Sequence, residues 1–123
     1  MTNQDTCAFE LFQFDRREWD IFKAKQMVKD RQAAPIDIEP FFRYLDSVKI
    51  NKRRALRHEI NLDVPIIVVT LKTKSGKTRQ MPIDGWHRLY KARQLRVKTL
   101  PGHVLSEGDS WQVERENNAT GKS

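Results

Sequence analysis

At 123 residues the chain can hold one domain with a modest core and is too short for two. Hydrophobic residues make up 38% and aromatic residues 9%, so the chain can fold. No apolar run in it approaches the roughly 18 residues of a membrane-spanning helix. The net charge of +7 is concentrated: residues 49–98 hold 14 Lys/Arg against 3 Asp/Glu, whereas residues 1–48 and 99–123 are each net −2. A field of that sign draws polyanions without specifying which one. The first ten residues, MTNQDTCAFE, have neither a basic n-region nor an apolar h-region, and the single Cys7 cannot form an internal disulfide. A cytoplasmic protein with no membrane partner is therefore expected.

In chain order, AFELFQF at 8–14 alternates well enough for a short strand. Asp15 then caps an expected helix over 16–31, with Glu18 completing a capping box and Trp19, Phe22, Ala24, Met27 and Val28 near helical spacing. Pro35 ends it, and Ile36-Asp37-Ile38 is a short extended piece. A second helix is expected from Glu39, with Phe41, Phe42, Leu45 and Val48 on its apolar face, and a third over 51–59 that exposes Lys52, Arg53, Arg54 and Arg57.

VPIIVVTL at 64–71 is continuously apolar and β-branched, the pattern of a strand buried on both faces. Lys74-Ser75-Gly76-Lys77 turns the chain, and 78–83 returns as the second arm of a hairpin. A helix over 86–95, with Trp86, Leu89, Ala92 and Leu95 toward the core, leads to a last strand over 98–105. Residues 106–109 read as a loop, and Trp111-Gln112-Val113 as an edge strand. The expected organisation is one α+β domain over 1–113, a small mixed sheet flanked by helices, followed by a mobile tail over 114–123.

Ser75-Gly76-Lys77-Thr78 resembles the end of a P-loop but fails as one. The glycine needed five positions before Gly76 is Leu71, and the segment joins two strands instead of a strand and a helix. Ile83-Asp84-Gly85-Trp86-His87-Arg88 is the more informative stretch, because it ends a strand and starts a helix. Backbone N–H groups at a helix start point outward, the macrodipole adds positive charge, and glycine permits close approach. His87 and Arg88 in the first turn add cations where carboxylates are usual, which favours an anion at that place. The alternative is local: Asp84 as an N-cap, with His87 and Arg88 paired to carboxylates elsewhere.

Asp84 to Leu95, DGWHRLYKARQL, resembles the Gly-x-(His/Arg)-Arg-x-x-Ala helix of the ParB/sulfiredoxin superfamily, and Val97-Lys98-Thr99-Leu100-Pro101 is similar to its exit into the next strand. The resemblance spans about residues 35–106, with the specific part at 84–101. It implies that Gly85, His87 and Arg88 bind phosphates of a nucleotide or nucleic acid, with a nucleoside triphosphate and Mg²⁺ as cofactors. Sulfiredoxins carry their catalytic cysteine where this chain has Trp86, so peroxiredoxin reduction is not expected. Partition proteins continue into a helix-turn-helix domain for which the sequence has no room, so the resemblance is to the small stand-alone members of plasmids and other mobile elements, some with nuclease or ATPase activity.

Two function classes follow. A hydrolase of phosphodiesters or phosphoanhydrides would use Gly85, His87 and Arg88 as the clamp, His87 as acid or base, a task that the unperturbed histidine pKa of about 6.5 suits, and a carboxylate to position water or Mg²⁺. Asp84 is the nearest carboxylate, with Asp37 and Glu39 as alternatives if the segment after Pro35 folds over the site. A module without turnover would instead hold DNA along Lys52, Arg53, Arg54 and Arg57, or dock on a partner protein.

Overall fold

The computed structural model describes residues 11–14, 17–48, 52–57, 60–73 and 75–115. Its central strand is the β-branched run, β4 (Ile66–Lys72). Ile66 to Val69 are each 2% exposed or less, so both faces of the strand are covered. The Thr73 N–H donates to the Lys77 carbonyl at 2.7 Å, and Gly76 takes φ +85°, which brings the chain back as β5 (Thr78–Asp84) antiparallel to β4. Helix α3 (Trp86–Gln94) leaves the end of β5. β6 (Thr99–Val104) then returns on the other side of β4 and parallel to it, with Ile66 opposite Gly102. β3 (Ala34–Asp37) pairs antiparallel with β6, giving a four-stranded mixed sheet in the order β3-β6-β4-β5.

A second sheet joins residues from both ends of the described chain. β1 (Leu11–Phe14), β2 (Arg17–Asp20) and β7 (Glu114–Arg115) form it in the order β1-β2-β7, all antiparallel. Arg17 makes a two-pronged ion pair with Glu114, at 2.7 Å through Nε and 2.6 Å through Nη2. Around the sheets lie α1 (Ile21–Val28), a 3₁₀ helix (Glu39–Ser47), α2 (Lys52–Ala55) and α4 (Glu107–Val113). The class is α+β, a small mixed sheet flanked by helices, as composition and periodicity lead one to expect.

Several local expectations are corrected. The segment expected as helix over 16–31 starts as β2: Glu18 lies opposite Arg115, and fully buried Trp19 lies opposite Phe12. The cap of α1 is Asp20, whose Oδ1 accepts the Lys23 N–H at 2.9 Å; Asp15 lies outside the described residues. Two aspartates five positions apart can both cap, and burial of Trp19 in the sheet selects the second. The expected loop at 106–109 is the start of α4. Ser106 Oγ accepts the Asp109 N–H at 3.1 Å, and that cap outweighs the helix-breaking tendency of Gly108. Trp111-Gln112-Val113 is accordingly helical, and pairing begins at Glu114, inside the expected tail. Residues 116–123 lie outside the described residues. The segment from Glu39 is 3₁₀ instead of α-helical, α2 is shorter than expected, and Leu95 is 58% exposed instead of facing the core.

α4 is fastened to β4 by Ser110, which is 1% exposed. Its hydroxyl donates to the Leu105 carbonyl at 3.3 Å and accepts the Thr70 N–H at 2.9 Å. Arg31, just past α1, reaches Asp109 of α4 at 3.0 Å. The same Arg31 lies near His103 of β6, whose pKa is held below its ordinary value, first by burial and then by that cation. The unfolded chain therefore binds a proton more readily at this site. Its contribution to stability is complete above about pH 6.5 and is lost as the pH falls from there toward the lowered folded value. Urea titrations across that range are expected to show a shallower acid loss for His103→Gln, and an unchanged slope would assign the loss to another group.

Candidate functional site

The turn between β5 and α3 is built by packing as much as by chemistry. Asp84 ends β5 opposite Ile67, and Gly85 follows with φ +102° and ψ 21°, a left-handed conformation. A Cβ on Gly85 would overlap the Ile66 Cγ2 methyl of β4 and stand 3.1 Å from Nη2 of Arg88. The glycine is thus required by the fold whether or not a ligand approaches. Trp86 is 7% exposed and meets the ring of Tyr44 edge-on, with centroids 6.5 Å apart. It closes the core beneath the turn, as do Leu89 and Ala92 on the same face of α3.

Arg88 folds back over Gly85. Its Nη2 donates to the Pro65 carbonyl at 3.2 Å and to Asp84 Oδ2 at 3.4 Å, and both members of that ion pair are about four-fifths buried. Nε of Arg88 is shielded from solvent and has no hydrogen-bond partner among the described residues. Asp84 therefore neutralises Arg88 instead of capping the helix, whose N-cap is Gly85 with no side-chain bond. No carboxylate stands in the first turn of α3. For Arg88 the charge conflict read from the sequence is resolved inside the protein. His87 is partly buried with its Nε2 shielded, so contact with an outside phosphate requires a rotation of its side chain.

One helical turn after His87, Lys91 donates from Nζ to the carbonyls of Arg57 at 2.9 Å and Ile60 at 2.8 Å. That clamp fixes the basic segment beside α3, where α2 packs against the helix. Lys52, Arg53 and Arg57 are exposed there, while the side chain of Arg54 lies outside the described residues. Asp37 and Glu39 do not join the turn. Asp37 Oδ1 accepts the Glu39 N–H at 3.1 Å, and Asp37 lines a separate groove that none of Asp84, Gly85, His87 and Arg88 reaches.

No family model, curated protein or solved structure matches the chain. The reading of the turn therefore rests on its own geometry and on the motif. Among the described residues no group of three or more His, Cys, Asp or Glu stands close enough to hold a metal ion. Mg²⁺ carried in on phosphates needs only one or two protein carboxylates. Asp84 is the carboxylate in place to serve it, provided that it releases Arg88. No helix among the described residues is long and apolar enough to cross a membrane.

Sequence reasoning found the turn but missed its partners. The Pro65 carbonyl and Ile66, just before and at the start of β4, lie about 20 residues earlier, and the Arg57 and Ile60 carbonyls that hold Lys91 lie more than 30 residues earlier. A lysine one turn after the motif, on a polar helix face beside a short basic segment, is the signal that could have pointed to the clamp.

Proposed function

We propose that the turn at the start of α3 binds phosphate groups of a nucleotide or nucleic acid, in a ParB/sulfiredoxin-like domain. The observation that carries this reading is the buried Arg88 guanidinium at an uncapped helix start, with its Nε unpartnered among the described residues. A phosphate placed there would gain the backbone donors and dipole of α3 together with a charge-assisted bond from Arg88. The net +11 of residues 49–98, including the exposed Lys52, Arg53 and Arg57 beside α3, supplies the attracting field.

The same contact suggests how hydrolysis of a phosphodiester or phosphoanhydride would be set up. An incoming phosphate competes with Asp84 for Arg88. Once released, the Asp84 carboxylate stands beside the bound phosphate, where it can orient water or a Mg²⁺ aqua ion. His87, turned outward, would hold or supply a proton on the leaving oxygen. With Asp84 still held by Arg88 the site binds without turning over, so a nucleotide-sensing or DNA-binding module is the second reading, favoured by that ion pair.

A thermal-shift panel of nucleoside mono-, di- and triphosphates with Mg²⁺ tests the proposal on wild type, Arg88→Ala and Arg88→Lys. Saturation at about 100 times Kd stabilises by about 2.7 kcal/mol, a shift of several degrees that is expected to vanish in Arg88→Ala and to shrink in Arg88→Lys. Shifts of equal size in all three proteins would remove Arg88 from the site. No shift for any nucleotide, together with no DNA binding at low salt, would sink the proposal. Product analysis on the ligands that bind then separates turnover from binding.

A further inference from the structure

The β4–β5 hairpin, the start of the 3₁₀ helix and Ile36 and Asp37 of β3 line an open groove of about 780 Å³, away from the α3 turn. Three cations enter it from three places: Arg43 from the 3₁₀ helix, Lys77 from the hairpin turn and Arg79 from β5. All three are exposed, and Lys77 and Arg79 have no ion-pair partner among the described residues. Asp37 is the one carboxylate in the lining, and its Oδ1 already accepts the Glu39 N–H. The hydroxyls of Thr73 and Ser75, 2.9 Å apart, and that of Thr78 add neutral donors. Cations spread over convex surface would simply be solvated. Gathered around one concavity they repel each other and focus a positive potential into it, which a polyanion relieves.

The groove is linked to the α3 turn through side chains. The Arg43 guanidinium lies 5.1 Å from the Tyr44 ring centroid and donates to its hydroxyl at 3.2 Å, and the Tyr44 ring in turn meets Trp86 at 6.5 Å. The two cationic positions lie toward opposite ends of β5, about 20 Å apart at about 3.3 Å per residue from Arg79 to Gly85, a span that several nucleotides of one chain would cover. Phe41 in the lining is only 4% exposed, so the groove offers no open aromatic face on which a single base could stack. A duplex carries its phosphates on a convex cylinder, which a groove of this size does not admit.

The geometry points to this groove as a second phosphate subsite, lodging one strand of a nucleic acid that continues to the α3 turn. The inference rests on the phosphate reading of that turn and names its ligand class. Contacts are with the backbone, so binding is tolerant of sequence and steeply dependent on salt.

Fluorescence anisotropy on the full chain tests it, with a labelled oligothymidylate of about 20 nucleotides and a duplex of the same length, at about 50 and 200 mM salt. Wild type, Lys77→Glu/Arg79→Glu and Arg88→Ala are compared, with circular dichroism as the control for folding. The double variant is expected to bind the single strand at least about tenfold more weakly at low salt, and to lower the salt slope by about 1.4 for two lost contacts. It should keep its Arg88-dependent thermal shift with nucleotides. Single-strand binding equal to wild type in the double variant overturns the groove and leaves the turn reading intact. A preference for duplex, or no binding of the single strand by wild type, also overturns it. Loss of oligonucleotide binding in the double variant, with Arg88→Ala binding the strand as wild type does and no nucleotide shift in any protein, supports the groove and overturns the turn reading.

Discussion

Gly85→Ala is expected to destabilise the protein by about 2–5 kcal/mol in the absence of any ligand. Two costs combine. A non-glycine residue at φ +102° pays about 1–2 kcal/mol for the left-handed backbone. Its Cβ must also displace the Ile66 methyl, in a strand whose neighbours are fully buried, at about 1–3 kcal/mol. Urea denaturation at neutral pH measures the loss directly. A loss below about 0.5 kcal/mol would mean that glycine is there for a bound phosphate alone, and that the packing account of the turn is wrong. The backbone change also moves Nη2 of Arg88, which lies 3.1 Å from the new methyl position, so nucleotide stabilisation should fall with the stability.

Trp19→Ala is expected to cost about 3–5 kcal/mol, because the side chain is completely buried and leaves a large cavity. Trp19 lies in β2 opposite Phe12 on one side and Glu114 on the other, with the Arg17 guanidinium 5.5 Å from its ring centroid. The truncation therefore asks whether the three-stranded sheet is part of the cooperative unit. A single urea transition at a lower midpoint, with unchanged slope, is the expected outcome. A loss below about 1 kcal/mol, or a second transition, would make that sheet an independent appendage. Trp19→Phe keeps most of the apolar volume and should lose clearly less.

What could be read from the sequence divides by the range of the interactions. β4, the hairpin and α3 were legible because VPIIVVTL, Ser75-Gly76 and the Trp86/Leu89/Ala92 spacing each carry their own local signal. β2 was not, since 16–31 has helical spacing and only pairing with β1 and β7 turns residues 17–20 into a strand. β7 is two residues long and exists through its register with β2. The start of α4 was hidden by Gly108, although Ser106-x-x-Asp109 is a capping pattern that could have been weighed against it.

The site follows the same division. Gly85 and Arg88 announce themselves within four residues, but pairing of Asp84 with Arg88 instead of capping depends on how the guanidinium is drawn back by the Pro65 carbonyl. The groove could not be read at all, because Arg43 and the Lys77–Arg79 stretch are brought together only by the folded sheet.

The Arg17–Glu114 pair spans 97 positions of sequence. Closing so long a loop costs about 4 kcal/mol of chain entropy before any contact rewards it, whereas the β4–β5 hairpin closes over a few residues. The order of assembly follows: β4, β5 and α3 can form early as a local nucleus, and the three-stranded sheet seals the molecule last. The turn between β5 and α3 therefore belongs to the part that forms first. In stopped-flow kinetics Trp19→Ala should accelerate unfolding and leave the folding rate nearly unchanged, and a slowed folding limb would reverse that order.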